Sequence, residues 1–201
     1  MKSLTALVLA FVVMSFGQSL ETYQSLETYL EKYIVRLPPA AFPELPTNLV
    51  HELQRRGCTI PQESYAKTVS SDPKTRNSKE PNNVIKGEFA RPGQIDWAVL
   101  CSVKGVSTIL VFWNGSEENP AAIVPAADSN YVQGAGGDQW AYSRSITPVS
   151  VEEIVRDHDP DHLGDPLPPI EHQGIDDSFE GKAFLVWYYY DGQWLNVAGG
   201  D

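Results

Sequence analysis

Hydrophobic positions follow a helical period in the early part of the chain. Between residues 20 and 37, apolar side chains recur at steps of three and four, which predicts an amphipathic helix that ends before Pro38. A second helix is predicted to begin with Thr47 as its cap and to end at Gly57, a residue type that adopts the left-handed conformation. Both predicted helices precede the segment in which the period changes.

A period of two appears in the second part of the chain and predicts β-strands. In the run 95–103 the odd positions are apolar, whereas Asp96 and Ser102 are polar. We therefore expect a half-buried strand in which Cys101 points inward. The next run, 106–113, is almost wholly apolar, as is typical of a central strand that is covered on both faces.

The end of the chain predicts a hairpin and a short helix. Aromatic and apolar runs at 183–190 and 193–197 flank an Asp-Gly pair, which is typical of a type I′ turn. Upstream, Ser150 and Glu153 have the spacing of a capping box and predict the start of a short helix.

These patterns predict an α+β fold in a single domain over residues 20–201, with N-terminal helices packed on a mainly antiparallel β-sheet. The domain is expected to be helical over 20–57 and β-rich over 84–201. Residues 66–83 lack an apolar period and predict an exposed, mobile loop. Its basic residues could contact an acidic partner, although charged runs usually face solvent; they are Lys67, Lys74, Arg76 and Lys79.

Composition fits one ordinary core and excludes one class of partner. The chain has 201 residues, of which 42% are hydrophobic and 20% charged. Its formal net charge of -11 argues against a surface for DNA or RNA. We expect a protein or small-molecule partner and no nucleic acid.

The first residues have the layout of an export signal. Lys2 precedes an apolar run at 4–16, and small residues follow at Gly17 and Ser19. The run is short for a membrane span, so we expect residues 1–19 to be a removed signal peptide, with no stable span after processing. The alternative is an uncleaved anchor. The sequence thus predicts a secreted or periplasmic protein.

The predicted export also bears on the oxidation state of the two cysteines. An oxidising compartment favours pairing, so we predict a disulfide between Cys58 and Cys101. Closure of a loop of about 40 residues would stabilise the fold by about 4 kcal/mol in the chain-entropy model. The alternative is a pair of buried free thiols.

The segment from Gly87 to Leu100 resembles the calcium-loop segment of FG-GAP repeats of integrin-type propellers. It keeps that pattern at Gly87, Phe89, Gly93, Asp96, Ala98, Val99 and Leu100. The resemblance implies oxygen ligands at Glu88, Ala90, Pro92 and Asp96, but only Glu88 and Asp96 have side-chain oxygens. We expect a degenerate loop with weak or no calcium affinity. The alternative is a simple turn before a strand.

A wider set of features resembles a group of secreted or periplasmic bacterial proteins of uncharacterised function. The resemblance covers most of the mature chain and rests on residues 57–62, 96–101, 111–113 and 174–177, followed by the Tyr-rich terminal hairpin. It implies export and a disulfide, and it implies no activity.

The segment 157–177 is rich in acidic residues and histidine, which suggests a cation site. His158 and His162 have the spacing of zinc ligands on one helical face, but Pro160 interrupts such a helix. A calcium or zinc site in a loop is the remaining possibility, with ligands drawn from His158, Asp159, Asp161, His162 and Asp176. The alternative is a set of solvated turns.

The sequence contains no recognised catalytic motif. It has neither a Gly-x-Ser-x-Gly elbow nor a His-Glu-x-x-His pair. Its five tryptophans could line a sugar platform, but such aromatics more often fill a core. We predict a non-enzymatic exported domain with a binding or envelope-associated role. The alternative is a divalent-cation-binding protein or metal-assisted hydrolase that uses segment 157–177.

Overall fold

The computed structural model describes residues 28–158 and 166–200. The chain divides into two compact units, Met1–Lys32 and Tyr33–Asp201. In the first unit, residues 28–31 are helical. The predicted signal peptide lies outside the described residues, as does most of the predicted first helix. All elements named below belong to the second unit.

The described part of the second unit is mostly β-structure, with twelve strands in four sheets. In chain order the strands are β1 (Arg36–Leu37), β2 (Ile60–Pro61), β3 (Val84–Gly87), β4 (Asp96–Val103), β5 (Val106–Phe112), β6 (Ala121–Ala127), β7 (Val132–Gly134), β8 (Trp140–Tyr142), β9 (Arg144–Val149), β10 (Gly174–Phe179), β11 (Ala183–Tyr190) and β12 (Gln193–Gly200). The helices are short: α1 (Thr47–Arg55), α2 (Tyr65–Val69), α3 (Pro73–Arg76) and α4 (Val151–Asp157). Short 3-10 turns lie at Pro39–Ala41, Trp113–Gly115 and Asp128–Tyr131.

Two four-stranded antiparallel sheets form the centre of the fold. The front sheet has the order β3-β4-β5-β6, and the back sheet has the order β12-β11-β10-β9. Side chains from both sheets share one buried cluster, which includes Leu100, Ile109 and Val111 of the front sheet and Ile146 and Ile175 of the back sheet. The two sheets therefore pack face to face as a β-sandwich.

Helix α1 covers the other face of the front sheet. Its buried Leu49 and Leu53 pack with Val99 and Leu110. Pro46 occupies the capping position and Thr47 is the first helical residue, so the helix starts one residue earlier than predicted. The chain then turns at Gly57, whose φ is 75°, in the left-handed region that favours glycine.

The disulfide between Cys58 and Cys101 is confirmed, with a Cα–Cα distance of 5.1 Å. Both residues belong to the cluster beneath α1, because odd positions of β4 face the helix. Cys101 is buried, but it points away from the sandwich interior. The bond joins the end of α1 to a central strand of the front sheet.

Helix α4 and the proline-rich segment that follows cover the outer face of the back sheet. Ile154 is fully buried against Val186 and Val197, and Leu167 and Ile170 pack against the same cluster. The predicted capping box is confirmed, since the Ser150 and Glu153 side chains exchange hydrogen bonds with each other's backbone N–H. The predicted hairpin is also present, with its turn at Asp191 and Gly192 between β11 and β12.

The prediction of an α+β fold with N-terminal helices packed on a sheet is wrong. Strand structure dominates the described residues, and the chain at Arg36–Leu37, predicted as the end of a helix, forms β1. Strands such as β10 contain buried polar residues, so their sequences lack the alternation of apolar and polar positions that predicts a strand. Asp177 of β10 is buried because Arg144 of the neighbouring β9 pairs with it, a condition that no local pattern contains.

Across the described residues, the helices are too short or too polar for any of them to cross a bilayer.

Candidate functional site

Residues 66–83, predicted as an exposed, mobile loop, form one side of a surface cleft. This segment folds into α2 and α3, and the cleft between them has a volume of about 550 Å³. Three of the four basic residues predicted as a cluster line it, together with acidic and hydroxyl side chains. We call this the lysine cleft; its lining includes Lys67, Lys74, Lys79, Glu63, Asp72 and Ser78.

The base of the lysine cleft is closed by a four-bond clasp. The Gln62 side chain donates to Asn82 O (3.2 Å) and accepts from Asn82 N (2.9 Å). The Asn82 side chain accepts from Glu63 N (2.8 Å) and donates to Glu63 O (3.0 Å). Both ends of the segment are thereby held together.

Asn83, next to the clasp, is almost fully buried and ties strand β2 to strand β9. Its Nδ2 atom donates to Pro61 O of β2 (2.7 Å) and to the backbone oxygen of Arg144 in β9 (3.1 Å). Its Oδ1 atom accepts from Ile146 N (3.0 Å). Asn83 belongs to the segment predicted as an exposed loop, and that prediction is wrong for this residue. Its side-chain amide is buried because it bonds to backbone groups of β2 and β9.

The walls of the cleft are fixed by side-chain bonds to the backbone. The Asp72 carboxylate caps α3 by accepting from Lys74 N (3.1 Å) and Thr75 N (3.3 Å). Arg76 donates from Nη2 to Ser70 O (2.8 Å), so it holds the link between α2 and α3 and is not free to reach the cleft.

The cleft lining holds as many carboxylates as ammonium groups, since Glu63, Asp72 and Glu80 line it together with the three lysines. Lys67 donates to the backbone oxygen of Glu80 (3.2 Å). The ammonium groups of Lys74 and Lys79 make no hydrogen bond or ion pair with another described residue. Glu63, on the cleft floor, accepts from Ala66 N (2.7 Å). Burial raises the pKa of the Glu63 carboxyl, and that amide bond opposes the shift.

In the calcium-like segment, Glu88 and Asp96 accept hydrogen bonds from N–H groups of the protein. Asp96 is fully buried, and its carboxylate accepts from Phe89 N (3.2 Å), Ala90 N (3.0 Å), Gln94 Nε2 (2.7 Å) and Asn114 N (2.7 Å). Glu88 accepts from Gly93 N (2.9 Å). These N–H groups occupy the carboxylate oxygens that a cation would need.

The acidic segment is only partly described. Asp159, Asp161 and His162 lie outside the described residues. The His158 ring contacts Val197 O through Nδ1 (2.7 Å), which places it against the edge strand β12. In the described ranges, no group of three or more His, Cys, Asp or Glu side chains is arranged to hold a metal ion. A calcium or zinc site in this segment stays a prediction.

Asp176, the fifth predicted ligand, is half-buried on β10. Its Oδ1 atom accepts from the Ser178 hydroxyl (2.8 Å). Burial raises the pKa of Asp176 to about 6, and the nearby carboxylates of Glu180, Asp177 and Asp157 add to the shift.

An ion pair inside the sandwich was missed by the sequence analysis. Arg144 is fully buried, and its Nε and Nη2 atoms each donate to the Asp177 carboxylate at 2.8 Å. Its Nη1 atom donates to Ser107 Oγ of the front sheet (2.9 Å). The hydrogen bonds to Asp177 and proximity to its charge raise the pKa of Arg144 despite burial, so the group stays charged.

Most tryptophans have the core role that the sequence analysis favoured. Trp97 is buried, and Trp113, Trp187 and Trp194 pack against the sandwich core. Trp113 and Trp194 stack with ring centroids 5.9 Å apart. Trp140 is exposed.

The lysine cleft therefore holds two ammonium groups, those of Lys74 and Lys79, that have no hydrogen-bond or ion-pair partner in the described part of the chain. Comparison of the chain with known protein families, with curated protein sequences and with solved structures found no match.

Proposed function

We propose that the protein is an exported, non-enzymatic domain with a binding or envelope-associated role. The observation that carries this proposal is the Cys58–Cys101 disulfide. Such bonds form and persist in oxidising compartments. The apolar run after Lys2 supplies a matching export signal.

Binding is favoured over catalysis because the buried side chains that could act in catalysis are occupied by hydrogen bonds within the fold. Asp96 is occupied by four N–H donors, and Arg144 and Asp177 are occupied by each other. Both ring nitrogens of His172 contact backbone oxygens, those of Gln173 (2.9 Å) and Tyr189 (3.1 Å). These side chains support the sandwich, whereas Lys74 and Lys79 of the cleft face solvent.

Export is tested by producing the full chain in a bacterial host and analysing the periplasmic and medium fractions by mass spectrometry. We expect a processed N-terminus near Ser19 and cysteines that resist alkylation until they are reduced. The variant Leu7→Arg, which interrupts the apolar run, should stay in the cytoplasm, whereas the matched Leu7→Ile should be exported. An intact Met1 together with two alkylatable thiols would refute the proposal.

A further inference from the structure

We propose that a backbone bulge at Val124 and Pro125 keeps the exposed edge of β6 from pairing with the same strand of a second copy of this chain. The proposal concerns the association of folded molecules, so it goes beyond the proposed function and does not depend on it.

The outer strands of the two sheets differ in what lies beside their edges. Asn83, which precedes β3, bonds to backbone groups of β9 and so joins the edges of these two strands. The edge strand β12 has the His158 ring beside it, with Nδ1 2.7 Å from Val197 O. Within the described ranges, no hydrogen bond joins residues 121–127 of β6 to any strand but β5. Such an edge presents backbone groups that can pair with another chain.

The side chains of β6 do not protect this edge. Natural edge strands are often kept apart by charged side chains, above all lysine. The seven residues of β6 read Ala-Ala-Ile-Val-Pro-Ala-Ala and include no charged residue. Val124 is 47% exposed, and Val106 of the neighbouring β5 is 44% exposed. A regular strand of this composition would favour association, so its protection has to come from the backbone.

The backbone of β6 departs from a regular strand near its centre. The register with β5 shifts between Ser107 and Ile109, so that Val124 and Pro125 together lie opposite Thr108. An extra residue of this kind is a β-bulge, which bends the strand and increases its twist. A second strand that follows the edge of β6 therefore loses its register at the bulge.

Both bulge residues add to this effect. Pro125 has no N–H, so it cannot donate a hydrogen bond to a strand beside β6. Val124 has a φ of 21°, a conformation that β-branched residues rarely adopt and that costs free energy. A strained valine and a proline at the centre of an uncharged edge strand thus carry the inference.

The test is a variant that lacks Val124 and carries Pro125→Thr. It removes the extra residue and restores an N–H, which makes β6 a regular edge. Size-exclusion chromatography with light scattering gives the average mass of the oxidised protein. At equal concentration we expect about a doubling of this mass, or more, relative to the original protein. Thermal melts check that the variant folds.

A rescue variant and a matched control show whether the association uses β6. Ala122 is exposed on β6, and Ala122→Lys added to the regular-edge variant should return the mass to that of the original protein. Pro120→Thr removes a proline outside the strand and should not change the mass. If the deletion unfolds the chain, Pro125→Thr alone is compared with Pro120→Thr, and it should associate more strongly because it keeps the strand length and restores the N–H.

Four results would overturn the inference. They are a folded regular-edge variant with unchanged mass, association that Ala122→Lys does not reverse, equal masses for Pro125→Thr and Pro120→Thr, and an original protein whose own association is abolished by Ala122→Lys. None of them bears on export or on the disulfide, so the proposed function stands or falls separately.

Discussion

Charged side chains in the sandwich interior have hydrogen-bond partners, whereas two lysines of the lysine cleft have none among the described residues. In the interior, Arg144, Asp177 and Asp96 are buried, and each has hydrogen-bond partners for its charged group. In the cleft, the ammonium groups of Lys74 and Lys79 are exposed and have no partner among the described residues. A buried charge without partners costs much free energy, whereas an exposed one costs little. The first set therefore maintains the fold, whereas Lys74 and Lys79 contribute no such support.

The strongest test of this contrast is the replacement Arg144→Met. It leaves the buried Asp177 carboxylate without its partner, and we expect a loss of about 4 kcal/mol in the free energy of unfolding. Urea denaturation measures the loss. The double variant Arg144→Met/Asp177→Leu, which removes both charges, should recover most of it. A loss below about 1 kcal/mol in the single variant would show that the buried pair does not support the sandwich interior.

A smaller loss is expected for Asp96→Ala. The replacement leaves the amides of Phe89, Ala90 and Asn114 without an acceptor, at a cost of about 3 kcal/mol. Glu88→Ala is the control, since Glu88 accepts only from Gly93 N at an exposed position and should cost about 0.5 kcal/mol. Equal melting temperatures for the two variants would contradict the supporting role of Asp96.

Asp176 is an intermediate case, because its carboxylate is half-buried among other carboxylates. Its pKa is raised to about 6 in the folded protein, from an ordinary value of 3.8. The folded state therefore binds the proton more tightly, so the contribution of Asp176 to stability is fully present below pH 4 and is lost as the pH rises through 6.

The replacement Asp176→Asn removes this dependence. We expect it to stabilise the protein by about 1 kcal/mol at pH 8 and to change little at pH 4. Urea denaturation at the two pH values measures the difference. Equal effects at both values would exclude the carboxyl as the titrating group.

The smallest effect on stability belongs to the cleft. Replacement of Lys74 and Lys79 by glutamine should change the free energy of unfolding by less than about 0.5 kcal/mol, since exposed charges without partners contribute little to it. Any larger loss, measured by urea denaturation, would mean that these lysines support the fold and would remove the contrast with Arg144.

Sequence reasoning succeeded where the controlling interactions are local. The Ser150 capping box, the turn at Asp191 and Gly192 and the long apolar strand β5 depend on neighbouring residues, and all are present. The disulfide was also predictable, because predicted export favours oxidation of the thiols and two cysteines allow a single pairing.

Sequence reasoning failed where a residue depends on a distant partner. Arg144 and Asp177 are 33 residues apart and are buried only as a pair. Asn83 is buried because it serves strands at residues 61 and 144–146. The lysine cluster was visible in the sequence as a charged run, but the clasp that turns it into a cleft joins residues that no short motif connects.

The disulfide encloses the lysine cleft within a covalent ring, since Cys58 precedes the cleft segment and Cys101 follows it. A protease cut anywhere in that ring leaves both fragments attached to each other. The nicked protein would run as one species on a gel without reductant and as two with it, so damage at the cleft need not release any piece of the molecule.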